Sequence, residues 1–241
     1  MVKYLKSDVS FFIRQKKFLR IRGINIFFYY LTRSFQISRY LKNHRVRKLQ
    51  IGTGTNITDG WLNTELYPRK GMIYLDATKP LPFEHNIFDY IYSEHMIEHI
   101  TFHQAYNFLK ESFRILRPGG RLRIATPNLS HYLNLFTSEK SQEQIEYIEW
   151  MCSNWIKKGG IPFDNESFIL NLAMHGWGHM FIYDFQTFQS VLGEIGFEDI
   201  EQYDCQISKD HNLKNLEKHG DVIGNVAMNH FETLVIEAQK N

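Results

Sequence analysis

Residues 48–65 of the chain read KLQIGTGTNITDGWLNTE. A short apolar run with Leu49 and Ile51 leads into Gly52-Thr53-Gly54, and a second short run ends in the acid Glu65. Glycines let the backbone approach a ligand closely, and an acid after the next strand can accept hydrogen bonds from a ribose. The stretch therefore predicts a nucleotide site at the edge of a parallel sheet, although a lone Gly-x-Gly is most often an ordinary turn.

Short apolar runs bounded by turn residues predict strands along the rest of the chain. They fall at Lys48–Gly52, Leu62–Glu65, Met72–Asp76, Asp89–Ser93, Arg121–Thr126, Glu198–Cys205 and Phe231–Ala238. Helices are predicted at Thr101–Leu116, Gln142–Lys158, Asn165–Met174 and Phe185–Ile195, with Thr101 and Asp184 as N-caps and Gly196 as a C-cap. This alternation predicts a doubly wound, mostly parallel sheet.

The connection between the first two predicted strands is unusually short. Only nine residues, 53–61, separate them. A parallel crossover usually takes about a dozen residues or more. We therefore expect the first crossover helix to be reduced to a turn or missing.

Charge divides the chain into a basic arm and an acidic body. Residues 1–48 hold 13 Lys and Arg against one acid, whereas the remainder holds 15 against 25 acids. We predict a basic helical N-terminal extension over residues 1–47, with one or two helices from about Ser10 to Asn43 and a break at Gly23. Residues 48–241 would form the main domain, with residues 128–180 as a helical insertion.

The arm has three interpretations. It could pack as helices on the acidic body, lie through residues 10–45 on an anionic membrane surface, or bind a phosphorylated or nucleic-acid partner. Two cysteines, Cys152 and Cys205, are too few for a disulfide framework, and basic residues interrupt every early apolar run. We expect free thiols and a cytoplasmic protein. Peripheral contact with the inner face of the membrane is a second interpretation of its location.

Taken together, four blocks resemble the class I S-adenosylmethionine-dependent methyltransferases, in their compact methyltransferase-11-like branch. The blocks are Leu49–Gly54, Asp76-Ala77 with Leu81-Pro82-Phe83, Phe88–His95 with Glu98-His99, and Leu116–Gly120 with Ile124–Asn128. The resemblance is strong over about residues 48–127 and moderate over 175–200. It implies a Rossmann-like sheet of seven strands, with the last strand antiparallel.

The resemblance also implies a cofactor, S-adenosylmethionine, which leaves as S-adenosylhomocysteine. The glycine-rich motif would wrap its methionine part, Glu65 would hold the ribose hydroxyls, and Asp76 would accept from the adenine amino group. The implied cofactor-binding residues are Gly52, Thr53, Gly54, Glu65, Leu66, Asp76, Ala77, Ser93 and Glu94. The acceptor would be a hydroxyl of a small molecule or glycan. The sequence determines neither the identity of this acceptor nor the oligomeric state of the protein.

Two departures from the family pattern keep a competing function open. Gln50 stands where an acid is common, and Asn56 stands where many members have a third glycine. A non-catalytic interaction protein that kept the fold is therefore the alternative. A dinucleotide-dependent oxidoreductase fits poorly, because it needs a full crossover helix and that third glycine. Binding of nucleic-acid bases is disfavoured, because the fourth strand ends in Ser93-Glu94-His95 and not in a Pro-Pro-aromatic motif.

Histidines supply the candidate catalytic groups, His95 and His179. His95 follows the fourth strand, where open α/β sheets place ligands, so it is either a general base or a residue that only shapes the pocket. His99 follows four residues later, which predicts a shared helix face with His95. Because this pair lacks an obvious third ligand, we assign no metal site and expect His99 to be structural.

The insertion ends in a segment that we expect to cover the acceptor. His175 and His179 flank Gly176-Trp177-Gly178, a composition suited to a lid. An ordinary connection into the next helix is the alternative interpretation. The apolar cluster of Trp150, Met151 and Trp155 is expected to form the core of the inserted helix, with sugar stacking as its alternative.

Overall fold

The computed structural model of the protein describes residues 26–160, 162 and 165–241. Its seven strands are β1 Lys48–Ile51, β2 Leu62–Glu65, β3 Ile73–Tyr74, β4 Phe88–Glu94, β5 Leu116–Pro127, β6 Phe197–Tyr203 and β7 Thr233–Lys240. They form one sheet in the order β3-β2-β1-β4-β5-β7-β6. Strands β1 to β5 pair in parallel, and β7 runs antiparallel to both β5 and β6. The predicted Rossmann-like sheet with an antiparallel last strand is confirmed.

Strand boundaries differ from the sequence prediction where tertiary pairing intervenes. Only two residues of the predicted third strand pair with a neighbour, because β3 lies at the sheet edge beside β2. β5 begins earlier than predicted, at Leu116, which pairs with Phe88 across a register shift. β7 begins two residues later than predicted, because the preceding helix continues through Glu232.

Helices pack on both sides of this sheet. Residues 26–43 are helical and are called α1 here. The others are α2 Phe102–Ile115, α3 Leu129–Asn134, α4 Gln142–Met151, α5 Glu166–His175, α6 Phe185–Ile195, α7 His219–Ile223 and α8 Val226–Glu232. Short 3-10 helices span Ile97–His99 and Lys157–Gly159, and a π-helix spans Cys152–Ile156. The sequence prediction did not include α3, α7 or α8.

The predicted helix ends are confirmed by their hydrogen bonds. Thr101 and Gln104 form a reciprocal capping box at the start of α2. The Asp184 carboxylate accepts from the Thr187 amide at 2.8 Å and caps α6. Gly196 ends α6 in the left-handed conformation, with φ of 108°.

Between β1 and β2 the chain makes only turns and irregular structure, as the short connection predicted. The loop from Gly52 to Trp61 therefore carries the glycine motif without a helix behind it. This connection therefore provides no helix N-terminus to stabilise an anionic ligand at this edge of the sheet.

Helix α1 docks on the main core through its C-terminal half. Ile37 and Tyr40 are buried in the same apolar cluster as Leu49 and Leu62. The Tyr40 hydroxyl donates to the carbonyl oxygens of Lys48 and Gly60, at 2.9 and 3.0 Å, and accepts from the Lys48 amide. The remainder of the predicted arm, including the break at Gly23, lies outside the described residues. Within the described chain, every helix is too short or too polar to cross a membrane.

The predicted insertion builds a second apolar cluster beside the sheet. Its buried members come from α3, α4, the π-helix, α5 and α8, and include Tyr132, Tyr147, Met151, Ile169 and Met228. Helix α8 belongs to the β6–β7 connection and not to the insertion. Two segments remote in sequence therefore form the wall opposite the glycine loop. The two cysteines, Cys152 and Cys205, are both buried and form no disulfide.

Candidate functional site

The glycine loop is hydrogen-bonded to the end of β2. The amides of Gly52 and Thr53 both donate to the Thr64 carbonyl, at 3.0 and 3.1 Å, and the Thr53 hydroxyl donates to the same oxygen. Gly52 has φ of 71°, and a Cβ there would lie 2.5 Å from the Met96 side chain. Only glycine fits this position, so the loop backbone can pass directly over the start of the segment after β4.

Glu65 ends β2 beside that loop. Its Oε2 accepts from the Gly54 amide at 2.9 Å, and its Oε1 accepts from the Leu66 amide at 2.8 Å. The carboxylate is only partly buried. It therefore links the glycine loop to the β2 edge and keeps oxygen lone pairs for an external donor.

The predicted adenine loop follows β3 at the same edge. Asp76 Oδ1 accepts from the amide and hydroxyl of Thr78, at 2.9 and 2.6 Å, which forms a tight turn. Ala77 packs partly buried against the main core, and the buried Leu81 and Phe83 that follow belong to that core. The turn and its apolar neighbours give this loop a fixed shape.

At the end of β4, Ser93 and Glu94 are both buried. Glu94 Oε1 accepts from the amides of Lys218 and His219, at 2.8 Å each, where α7 begins. Burial raises the pKa of Glu94, and the two amide hydrogen bonds oppose this. Glu94 thus ties β4 to the β6–β7 connection, while its side chain borders the cavity described below.

His95 follows in the left-handed conformation, with φ of 45°. Its Nδ1 lies 3.1 Å from Glu98 Oε1 and donates to that carboxylate, and its ring stacks on His219 at 4.1 Å between centroids. Burial lowers the pKa of His95, but the hydrogen bond and charge of Glu98 outweigh it, so the pKa lies above its ordinary value. Burial and the neighbouring positive charge of His95 lower the pKa of His219 to about 4.

Glu98 is fully buried beneath His95. Its second oxygen, Oε2, accepts from the Thr126 hydroxyl on β5 at 2.9 Å. Burial opposes ionisation of Glu98, but the hydrogen bond and charge of His95 keep its pKa below the usual value. The pair therefore resembles the carboxylate–histidine arrangement that orients a catalytic imidazole.

His179 reaches the same region from the insertion. Its Nδ1 lies 2.6 Å from the Ala173 carbonyl oxygen, and its ring lies 4.9 Å from that of His99. Burial lowers the pKa of His179. His175, at the end of α5, is exposed and does not line the cavity.

These groups open on one cavity of about 420 Å³ at the carboxyl edge of the sheet. Its glycine-loop end contains Gly52, Thr53, Gly54, Thr55 and Asn56, and its histidine end contains Glu94, His95, His99, His179 and His219. Tyr132, Trp150, Met151, Trp155, Trp177 and Glu232 complete the wall. The volume suits a small-molecule ligand, and concave sites at this edge are where open α/β sheets bind ligands.

The structure brings together most of the predicted site and corrects two details. His95 precedes the 3-10 helix Ile97–His99, so the expected helix face shared with His99 is wrong: His95 stacks on His219, and His99 contacts His179. Trp155, which was expected in the core, is 39% exposed and lines the cavity from the π-helix that follows α4. Glu65, Leu66, Asp76, Ala77 and Ser93 lie outside the cavity wall.

The sequence prediction missed several residues at the histidine end. His219 and Glu232, which line the cavity, and Asn229, whose Nδ2 lies 3.3 Å from His95 Nε2, come from the β6–β7 connection. Polar residues there show no motif spacing. Glu232 accepts from the hydroxyls of Tyr132 and Tyr147, at 3.2 and 2.5 Å. Burial raises the pKa of Glu232, and these hydroxyls oppose that shift. A buried acid between two tyrosines is visible only once α8 packs against α3 and α4.

The strand order and the antiparallel β7 form a Rossmann-like fold of the methyltransferase type, with the glycine loop at the β1 edge. Residues 36–124 match the sequence model of the methyltransferase domain family, and this segment contains the glycine loop, Glu65, Asp76 and Glu98-His99. Over this segment, which is 89 of the 241 residues, the chain resembles the methyltransferase domain family. No curated protein matches the chain.

Solved structures resemble this chain distantly. Phosphoethanolamine N-methyltransferase 2 of Haemonchus contortus, in complex with S-adenosylmethionine, is 16% identical, with a TM-score of 0.44 over 81% of this chain and 48% of its own. A methyltransferase of Thermotoga maritima, described as a possible histamine N-methyltransferase, is 17% identical, with a TM-score of 0.45 over 82% of this chain and 84% of its own. A methyltransferase of Archaeoglobus fulgidus is 14% identical, with a TM-score of 0.45 and coverages of 88% and 94%. The chain spans about half the length of the Haemonchus contortus protein.

Proposed function

We propose that the protein transfers the methyl group of S-adenosylmethionine to a hydroxyl of a small molecule or a glycan. The observation that carries this proposal is a single cavity with the glycine loop at one end and the His95–Glu98 pair at the other. Methyl transfer is an in-line displacement, so catalysis consists mainly of aligning the acceptor oxygen, the methyl carbon and the sulfur. One cavity shared by both reactants meets that requirement.

The cofactor would lie along the edge from the glycine loop to the β3 loop. Gly52, Thr53 and Gly54 would contact its methionine part. Glu65, with Leu66, would accept from the ribose hydroxyls, and Asp76, with Ala77, would hold the adenine. Ser93 and Glu94 would border the sulfonium, where the buried Glu94 carboxylate offers a negative charge to a cationic ligand.

His95 would act on the acceptor as the general base. The acceptor oxygen attacks the methyl carbon, the carbon–sulfur bond breaks, and its electron pair stays on the now neutral sulfur. The hydroxyl proton passes to the imidazole, whose charged form Glu98 stabilises. His179 would contact the acceptor at the same end of the cavity, and Trp155 and Trp177, with ring centroids 5.3 Å apart, would cover its apolar face.

The first test is calorimetric titration of the protein with S-adenosylmethionine and S-adenosylhomocysteine. We expect dissociation constants in the micromolar range. If the folded protein binds neither compound, the non-catalytic interaction protein becomes the better interpretation. If it binds both, methyl transfer to a panel of sugars and phenols identifies the acceptor.

Replacing Glu65 by alanine should weaken binding of S-adenosylhomocysteine at least tenfold. Hydrogen bonds to a charged acceptor contribute about 1.5–3 kcal/mol each, and the ribose would lose up to two of them. Glu84→Ala is the matched control, because Glu84 is an exposed acid away from the cavity. An unchanged affinity in Glu65→Ala would refute the ribose assignment.

We also propose that α1 contacts an anionic membrane surface. Phe27, Leu31 and Phe35 are 61%, 61% and 72% exposed and share one face of the helix at four-residue spacing. Residues 1–48 carry 13 basic residues and one acid. An exposed apolar face in a basic stretch of sequence suits the interface of an anionic bilayer.

Vesicle sedimentation tests this contact without removing the buried Tyr40 anchor. We expect the triple variant Phe27→Ser, Leu31→Ser, Phe35→Ser to lose at least tenfold in partitioning onto vesicles with phosphatidylglycerol, because burying each apolar side chain contributes about 1.5–3 kcal/mol. Leu133→Ser with Phe136→Ser is the control, because both residues are exposed apolar side chains of the insertion. Equal partitioning of all three proteins would show that α1 makes no membrane contact.

A further inference from the structure

Three ligand-bearing side chains meet at the histidine end of the cavity. One donor atom from each of Glu98, His99 and His179 lies within 4.8 Å of the other two. Glu98 is buried, whereas His99 and His179 line the cavity. His179 supplies the third ligand that the sequence did not reveal, because it lies 80 residues further along the chain.

Backbone contacts hold the two segments together. The Glu98 carbonyl oxygen accepts from the amides of Met180 and Phe181, at 2.7 and 3.3 Å. Gly178 has φ of +83°, and a Cβ there would lie 3.8 Å from His99 Nδ1. The neighbouring Trp177 also has a positive φ, of 53°, which is uncommon for a bulky residue. The end of the insertion is thus bent to bring His179 beside Glu98 and His99.

The remaining contacts of these side chains leave donor atoms for a cation. His179 Nδ1 donates to the Ala173 carbonyl, which leaves the lone pair of Nε2 on the other side of the ring. Such a backbone contact to the far nitrogen is how metal-bound histidines are commonly oriented. Glu98 accepts one hydrogen bond on each oxygen, from His95 and Thr126, and each oxygen keeps a second lone pair.

We propose that Glu98, His99 and His179 bind a divalent first-row transition-metal cation on the cavity wall. Two imidazoles and one carboxylate form a donor set used in catalytic zinc and iron sites, and they leave coordination positions open to a ligand. This set favours such metals over Mg²⁺, which prefers oxygen ligands. A face-to-edge contact of the two histidine rings is the alternative, and it predicts no cation binding.

The cation would have a direct use in the proposed reaction. An acceptor hydroxyl in an open coordination position would lose its proton more readily, and His95, hydrogen-bonded to the same Glu98, would receive it. This use rests on the proposed methyl transfer, whereas cation binding itself does not.

Cation binding can be measured on the full chain without an affinity tag. The protein is stripped with a chelator and titrated with Mn²⁺, followed by electron paramagnetic resonance, and with Zn²⁺, followed by calorimetry. We expect one saturable site, with its affinity reduced at least tenfold in His99→Ala and His179→Ala. His175→Ala is the matched control, because His175 is an exposed histidine of the same insertion. His99→Ala decides the comparison if His179→Ala does not fold, since the His99 side chain is exposed.

Absence of a saturable site for both cations would overturn the proposal, as would a site whose affinity survives in His99→Ala. Titration of the same samples with S-adenosylhomocysteine separates the two proposals. Cofactor binding without cation binding refutes the metal site alone, and cation binding without cofactor binding refutes the methyltransferase function alone.

Discussion

His95→Ala is expected to lower the rate of methyl transfer by about 10²–10⁴-fold, the usual contribution of a positioned general base. The affinity for S-adenosylhomocysteine should change much less, because in the proposed function the glycine loop and Glu65 would hold the cofactor. His95 stacks on His219 and donates to the buried Glu98, so its ring has one defined orientation at the cavity. Single-turnover methyl transfer to the acceptor found by screening measures the effect.

Two further variants make the His95 result specific. Glu98→Gln should also slow transfer, because it removes the charge that stabilises the imidazolium and leaves the ring in place. His211→Ala should leave the rate unchanged, since the His211 side chain is 89% exposed. If His95→Ala instead weakened the cofactor and left the rate intact, His95 would be a pocket residue and not the base.

Arg123→Met is expected to lower the free energy of unfolding by about 3–5 kcal/mol, because removing one partner leaves buried charge uncompensated. Arg123 is fully buried on β5 and donates to both oxygens of Glu217, at 2.7 and 2.9 Å. It also donates to Glu237 on β7 at 2.5 Å and to the Ile207 carbonyl at 2.9 Å. Without the guanidinium, two buried carboxylates would face each other. Urea unfolding followed by circular dichroism measures the loss.

The environment of Arg123 also predicts how much stability related variants lose. Arg123→Lys should retain the positive charge and lose the bidentate contact with Glu217. Its free energy of unfolding should therefore fall less than that of Arg123→Met. Lys209→Ala should show no measurable loss, because the Lys209–Glu201 pair is largely exposed. If Arg123→Met unfolded at the same urea concentration as Lys209→Ala, the buried cluster would not contribute to stability.

Local sequence signals were sufficient to predict the strands of the sheet and the glycine loop at its edge. Buried strands leave apolar runs, Thr101 and Gly196 mark helix ends through contacts within one turn, and Gly52 is required by its own backbone conformation. The short β1–β2 link predicted the missing helix, because chain length alone limits a crossover. The order of the four blocks then gave the resemblance to methyltransferases.

Residue spacing was misleading where the backbone left regular geometry. His95 and His99 have helical spacing, but His95 adopts a positive φ and precedes a three-residue 3-10 helix. Trp155 lies in a predicted helix, but the chain there forms a π-helix and the Trp155 side chain lines the cavity. Both departures depend on packing against other elements, which periodicity does not record.

The sequence by itself determined the parallel sheet, the glycine loop and the acids Glu65 and Asp76, because each depends on residues close in the chain. The tertiary structure alone decided what faces that loop. It placed His179 beside Glu98 and His99, and His219 against His95. These contacts join segments separated by 80 to more than 120 residues, and no local pattern encodes them. The glycine-loop edge of the sheet can therefore be predicted from the sequence, whereas the histidine end of the cavity forms only in the folded chain.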